Sequence, residues 1–498
     1  MRRFLVACAC GFSMFLASAS YAAPVQSLVR LQNLNSSQIS QLANEGYDIP
    51  KTGKDFAEII LEGPQIQSFV MKGYKLKVLV RNLDDYIKTV KIAQTKTDSY
   101  YNFASMQSQL KKWEETSPDI CKLESIGKSH EGRDIWALKI SDNPQVNEAE
   151  PAALLMGAHH AREWPSIEVP MATALKLIEE YRTNEEVKRL VDSREIWIVP
   201  MVNPDGVTYS MEKSRFWRKN RRNNGSSYGV DLNRNYGYQW GNVGSSNSGS
   251  SDTYHGTGPF SEPESQAIRN FVEREKFQAS ISYHTYSELI LYPFGYAYNV
   301  PNPDSKIFEK MAGDMSKFNG YTPQNSAELY PAMGDSDDYL YGEKKVLSFT
   351  FELCRTFIPD ASQIDGFTKT NVPAAIYLID KAGTYGLVTP SARDELFAAL
   401  DFEGSRRALV DAVDLFGREN NIAMRNEALK QLEKISRRAA AIVCEDLKEE
   451  NLDSWKDLSS LPQAELAISF VRNRVLFEGA HKTGVYSPEV LSVIKNID

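Results

Sequence analysis

Short apolar segments and short helical periods alternate at the start of the chain. Residues 57–61 (Ala-Glu-Ile-Ile-Leu) and 75–80 (Lys-Leu-Lys-Val-Leu-Val) read as strands, and residues 37–43 and 64–71 as helices. This texture predicts a small β-α-β-α-β module over residues 23–96. Its tail, residues 84–97, is a helical or extended connector carrying Lys88, Lys91 and Lys96. Further on, residues 152–156, 196–200 and 346–353 are continuous apolar runs, as expected of strands covered on both faces. A helical period at 170–181 lies between them, and Ser261-Glu262-Pro263-Glu264 predicts a capping box opening a helix through residue 271. Residues 241–252, rich in Gly, Ser and Asn, predict an irregular loop. Strands alternating with helices over 97–385 predict an α/β domain with a mostly parallel sheet covered by helices. Residues 386–498 turn helical and polar. Leu429, Leu432, Ile435, Ala439 and Ile442 line one helix face, and residues 464–477 form a second stripe. They predict a helical appendage packed on its neighbour, of unknown role.

Residues 1–22 have another character. Arg2 and Arg3 precede an apolar stretch over 4–19 and the small-residue sequence Ser20-Tyr21-Ala22-Ala23. That order predicts a secretory signal peptide cleaved after Ala22, and hence an exported protein, extracellular or periplasmic. No later run is apolar and long enough to cross a bilayer, so no stable membrane insertion is expected once the signal is removed. A length of 498 residues suggests about three domains, and 42% hydrophobic with 24% charged residues fits a globular chain. The net charge of −8 with no long basic run argues against nucleic acid as a partner. Of five cysteines, Cys121, Cys354 and Cys444 survive signal removal, too few for a disulfide scaffold and expected to be small buried hydrophobes.

The chemistry lies in the histidines, of which there are only six. His160-Ala161-Arg162-Glu163 directly follows the apolar run 152–156, so an imidazole and a carboxylate three residues apart sit at a strand-to-helix turn. His284 follows a second apparent strand, 278–281. Two His and one Glu leave a fourth tetrahedral position for water, the open arrangement of a catalytic rather than a structural zinc site. His130 and His481 read as loop residues, and His255 as one that stabilises a turn.

Five motifs then occur in order: His160-x-x-Glu163; Phe216-Trp217-Arg218-Lys219-Asn220-Arg221; Val230-Asp231-Leu232-Asn233-Arg234-Asn235; His284 with Leu291-Tyr292-Pro293-Phe294-Gly295; and Phe349-Thr350-Phe351-Glu352-Leu353. Together they resemble the zinc carboxypeptidases of the pancreatic A and B and bacterial T kinds. The resemblance implies a mixed, mostly parallel eight-stranded sheet, one zinc per chain on His160, Glu163 and His284, and removal of C-terminal residues from peptides or proteins. It implies Glu352 as general base and Arg218 as oxyanion donor. Asn233 and Arg234 match the clamp for the substrate's terminal carboxylate, Tyr330 the mobile tyrosine that closes over it, and Arg162 the approach groove. Seven residues beyond Tyr330, Asp337 matches the pocket position that favours terminal Lys or Arg, giving basic or dual basic and apolar preference. The module over 23–96 has the size of the family's activation segments, so a zymogen cut by an activating protease near Lys91 or Lys96 is expected. Two other readings fit the same residues: a same-fold zinc peptidase of cell-wall peptides, and a catalytically dead peptide-binding relative.

Overall fold

The computed structural model describes residues 25–90, 99–148 and 150–384. The expectations for residues 1–22, for the segment holding Lys91 and Lys96, and for residues 386–498 with Cys444 and His481 lie outside the described residues.

The first body is a four-stranded antiparallel sheet, ordered β2-β3-β1-β4, from β1 (Gln26–Gln32), β2 (Lys51–Gly53), β3 (Phe56–Glu62) and β4 (Lys75–Val80). Helices α1 (Ser36–Asn44) and α2 (Gly63–Met71) accompany it, and α3 (Leu83–Thr89) follows β4. Alternate burial along β1 places Val29 and Leu31 against Ile39, Leu42, Ile59, Leu61 and Phe69 in a core of its own. The short β2, lacking an apolar run, escaped the pattern.

The second body is an eight-stranded mixed sheet. Its strands are β5 (Cys121–Lys128), β6 (Asp134–Ile140), β7 (Ala152–Gly157), β8 (Glu195–Val199), β9 (Ala279–Thr285), β10 (Leu289–Tyr292), β11 (Thr322–Asn325) and β12 (Leu347–Leu353), ordered β11-β10-β12-β9-β7-β8-β6-β5. The four central strands β12, β9, β7 and β8 run parallel, while β5, β6 and β10 pair antiparallel with their inner neighbours. Helices α4 (Phe103–Thr116), α5 (Pro165–Glu180), α6 (Glu185–Val191), α7 (Pro204–Glu212), α8 (Pro263–Glu275), α9 (Ser305–Asn319), α10 (Ser336–Gly342) and α11 (Ile364–Lys381) surround the sheet. Strands β7, β8 and β9 are buried along their whole length, and β12 everywhere but at Glu352, because both faces are covered. Ala153, Leu155, Ile196 and Ile198 join one apolar cluster, whereas Leu154, Met156, Trp197 and Val199 join the other. Each such Leu, Ile, Met or Val side chain contributes about 1.5–3 kcal/mol by leaving water.

Two local expectations are corrected. Helix α5 begins at Pro165, not at 170: Pro165 occupies a first-turn position where no amide donor is needed, and Pro170 is carried inside the helix. Helix α8 is not opened by a Ser261 capping box. Its N-cap is Glu262, and the Ser261 hydroxyl donates to Glu262 Oε1 while accepting from Asn235 Nδ2. The helix also continues to Glu275. Cys121 and Cys354 are free and buried. Among the described residues, no helix is long and apolar enough to cross a membrane.

Candidate metal centre and active cleft

Three adjacent parallel strands deliver the chemistry at their C-terminal ends, where ligands bind in open α/β sheets. Glu352 near the end of β12 lies in register with His284 of β9, and Tyr283 pairs with Gly157 at the end of β7. Beyond Gly157 the chain turns sharply, with Ala158 at φ 55°, and presents His159, His160 and then Glu163 before α5. Gly157 has no substitute here, because a Cβ would lie 2.2 Å from the carbonyl oxygen of Ser166.

His160 Nδ1 lies 2.8 Å from Glu163 Oε1, His284 Nδ1 3.0 Å from Glu163 Oε2, and the two Nδ1 atoms 3.1 Å from each other. All three side chains are buried. Two imidazole nitrogens and a carboxylate aimed at one point out of water are costly as neighbours and apt as ligands of a divalent cation. Nitrogen and oxygen donors without thiolate match catalytic zinc. Burial alone would raise the pKa of Glu163, but His160 and His284 hold it well below the ordinary carboxylate range. Glu352 goes the other way: burial and then the charge of Glu163 push it well above its usual value, against the pull of Arg218, Arg234 and Arg162.

The arginines line the same cleft. Arg218 gives Nε and Nη2 to Asp231 Oδ2 at 3.0 and 2.8 Å, which leaves Nη1 as its cleft-facing edge. Asp231 Oδ1 in turn lies 3.1 Å from His160 Nε2, so one buried carboxylate braces a candidate ligand and an arginine together. Arg234 is held by the carbonyls of Gly244 and Asn233 and donates from Nη2 to Tyr330 Oη at 3.2 Å. Asn233 Oδ1 accepts from the Ser336 amide at the start of α10. Arg162 is fully buried, its guanidinium 4.2 Å from the Phe357 ring centroid.

Beside the clamp the cleft deepens into a pocket bordered by Leu291, Gly295, Ser326, Ala332, Thr350, Asp335 and Asp337. The three aspartates that crowd the sequence separate in space. Asp338 turns away to accept the amides of Gly295 and Tyr296. Asp335 caps α10 through the Asp338 amide, and burial pushes it up to about 6. Asp337 Oδ1 is buried without a hydrogen bond, and burial followed by Asp335 raises its pKa well above the usual range. An unpaired acidic oxygen in such a place awaits a donor.

The first body closes this cleft. Asp48, Ile49 and Pro50 line it. Asp48 Oδ2 lies 2.6 Å from Arg162 Nη2 outside hydrogen-bonding angles, an ion pair rather than a hydrogen bond, and Asp48 Oδ1 lies 3.9 Å from Arg218 Nη1. Thr52 Oγ1 donates to the Leu329 carbonyl, and Glu58, paired with Arg30, accepts from Tyr286 Oη.

The structure thus gathers all ten residues singled out in the sequence around one cleft. Sequence reading missed Asp231, although it lies two residues before Asn233 in a noted motif, and Asp48, which no motif marks. His130 faces Glu262 and Glu264, but that cluster is closed. Glu262 already takes His130, Asn220, Arg222 and Ser261, and Glu264 takes Asn220 and the His130 amide. His255 lies against Trp240, with Nε2 bonded to Asn242 and Asn247.

Residues 106–374 match the model of a family described as zinc carboxypeptidase. The zinc carboxypeptidase of Saccharothrix mutabilis subsp. capreolus is 35% identical over 343 residues, covering 63% of this chain and 78% of that protein. Carboxypeptidase B of Bos taurus is 29% identical, covering 61% and 76%. Among solved structures, thrombin activatable fibrinolysis inhibitor aligns over 72% of this chain and 99% of its own at 26% identity and a TM-score of 0.61. The carboxypeptidase A of Helicoverpa armigera aligns over 72% and 97% at 22% identity and a TM-score of 0.64, a likeness of fold.

Proposed function

Since this chain belongs to the zinc carboxypeptidase family and is a metallocarboxypeptidase with one zinc, we propose that it releases basic residues, or both basic and apolar ones, from peptide C-termini, as a secreted zymogen. The observation that carries this reading is the convergence of three metal donors, Glu352, Arg218 and the Asn233–Arg234 pair on one cleft beside an acidic pocket.

His160 Nδ1, Glu163 and His284 Nδ1 would hold the zinc, which would supply Lewis acidity for a carbonyl and lower the pKa of a water from 15.7 towards about 7. Glu352, on the strand beside His284, takes the proton of the attacking water at its carboxylate and returns it to the departing amine nitrogen. Arg218 offers Nη1 to the oxyanion while Asp231 fixes the other edge of its guanidinium, so the donor is already oriented when charge develops. Arg234 and Asn233 grip the terminal carboxylate with planar, directional donors. Tyr330, bonded to Arg234 at its free end, is placed to exchange that contact for substrate. Asp337 at the pocket's base gives a terminal Lys or Arg its counter-charge, because an unpaired buried charge is costly.

Asp48 of the first body occupies the approach groove against Arg162 and Arg218, which supports residues 23–96 as an inhibitory segment. Removal by cleavage near Lys91 or Lys96 frees the cleft. The charged, apolar, small-residue order of residues 1–22 supports export. The test is turnover of peptides ending in Arg, Lys, Leu or Phe by the chain before and after limited proteolysis, with and without a zinc chelator. The proposal expects chelator-sensitive release of Arg and Lys, with or without Leu and Phe, only after cleavage. It is lost if Phe and Leu peptides alone are cut, or if intact and processed chains are equally active.

A further inference from the structure

Behind His284 lies a chain of buried polar groups that the reaction does not touch. Ser282 and His284, two apart on β9, project to the same face. His284 Nε2 lies 3.0 Å from Ser282 Oγ, Ser282 Oγ lies 3.2 Å from His159 Nδ1, and His159 Nε2 lies 2.8 Å from Tyr236 Oη. His159, Ser282 and Tyr236 are each 0% exposed. The His159 ring also stacks on that of His284, centroids 5.5 Å apart and planes 15° apart, and its carbonyl is pinned by Asn203 Nδ2.

The proton count gives this chain a direction. A neutral imidazole has one donor and one acceptor nitrogen. His284 Nδ1 is the atom that converges with His160 Nδ1 and Glu163, so for it to offer a lone pair its proton must sit on Nε2. Ser282 Oγ then has to accept. A serine hydroxyl has one proton to give, and the neighbour that takes it is His159 Nδ1. Were that proton left without an acceptor in a site closed to water, Ser282 would instead turn it on His284 Nε2 and drive the ligand into the wrong tautomer. His159 Nε2, protonated in consequence, donates to Tyr236.

Resting on the reading that His160, Glu163 and His284 hold zinc, we propose that His159, acting through Ser282, is a positioning residue: it holds the His284 imidazole in the tautomer and plane that present Nδ1 to the metal. The two histidine ligands are thereby braced unlike each other. His160 has the carboxylate of Asp231 behind it, whereas His284 has an uncharged hydroxyl-to-imidazole chain. The second brace orients without adding a further negative charge to a site that already contains Glu163, Asp231 and Glu352.

The experiment measures zinc dissociation constants of the full chain by chelator competition, with the visible spectrum of the cobalt-substituted protein and the melting of the metal-free protein beside it. Outer partners of metal ligands typically govern about 10–100-fold in affinity. Ser282→Ala and His159→Leu are each expected to weaken zinc by that order and to shift the cobalt spectrum. The double variant should be no more than about twofold weaker than the worse single one, because both cut the same chain. His159→Asn, whose Oδ1 replaces the Nδ1 acceptor, should stay within about threefold of the parent. An affinity unchanged in Ser282→Ala, or losses that multiply in the double variant, overturns the proposal. If His159→Leu fails to fold, Ser282→Ala and His159→Asn decide: loss in the first alone supports it, and no loss or equal loss overturns it. His284→Ala separates the two levels. If it retains the parent's zinc affinity the metal reading itself fails, whereas loss there with an indifferent Ser282→Ala sinks only the positioning role.

Discussion

Replacing Asp48 by Asn in the uncleaved chain tests the proposed inhibition at one contact of the first body with the cleft. Asp48 and Arg162 form a pair whose side chains are only 6% and 0% exposed, with oxygen and nitrogen 2.6 Å apart. Removing one member of a buried pair costs about 3–5 kcal/mol, since the other charge stays desolvated. Part of that is returned here. Asp48 repels the nearby Asp252, whose carboxyl is raised by burial and then by Asp48 itself, and the substitution relieves the repulsion. Arg218 Nη1, at 3.9 Å, loses only a longer-range partner. A net loss of about 3 kcal/mol is assigned to the docked state, the state in which Asp48 and Arg162 are paired. At about 1.4 kcal/mol per tenfold, the open population rises about 100-fold.

The assay is hydrolysis of a short chromogenic peptide by the intact chain, its integrity checked by electrophoresis before and after. The intact variant should turn over substrate on the order of 100-fold faster than the intact parent, up to the ceiling set by the processed enzyme. After cleavage both should be equal, because the altered residue has left. Intact Asp48→Asn as silent as the intact parent, with equal processed activity, refutes this account of inhibition.

Glu352→Gln should lower kcat by about 10²–10⁴-fold while zinc content by metal analysis stays at one per chain; undiminished kcat would remove Glu352 as the base. Asp337→Ala should lower kcat/KM for peptides ending in Arg or Lys by at least about tenfold and leave Leu peptides within about threefold; a parallel fall for both would make the residue structural. Glu168 gives a pH prediction away from the metal. It is buried on α5, accepts from the Tyr101 amide at 2.8 Å, and burial pushes it up to about 8. The folded chain therefore keeps a proton that the unfolded chain loses near pH 4.5, and stability falls as pH rises from about 4.5 to 8, by up to about 1.4 kcal/mol per pH unit. Glu168→Gln, which keeps the acceptor oxygen, should melt above the parent at pH 8 and converge with it near pH 4.5. Identical pH slopes in thermal melts of the two proteins would contradict this.

The residues legible from sequence are those whose chemistry is out of place where they stand. Glu352 near the end of an apolar strand and His160 with Glu163 just past another announce themselves, because burying such groups without purpose is expensive. The continuous apolar runs revealed β7, β8 and β12, whereas β10 and β11 stayed hidden: Thr-Pro-Gln-Asn carries no strand pattern and pairs only because β10 offers it an edge. The braces were hidden for a different reason. Asp231 is one acid among 65 acidic residues until the chain folds Arg218 and His160 onto its two oxygens. His159 and Ser282 are ordinary residues until the parallel pairing of β7 with β9 sets them side by side. Asp48 becomes significant only through its contact with Arg162, which folding brings from the second body. A sequence therefore exposes the groups that react sooner than the groups that aim them. The former are anomalous in their own segment; the latter become significant only through a partner that topology brings from far along the chain.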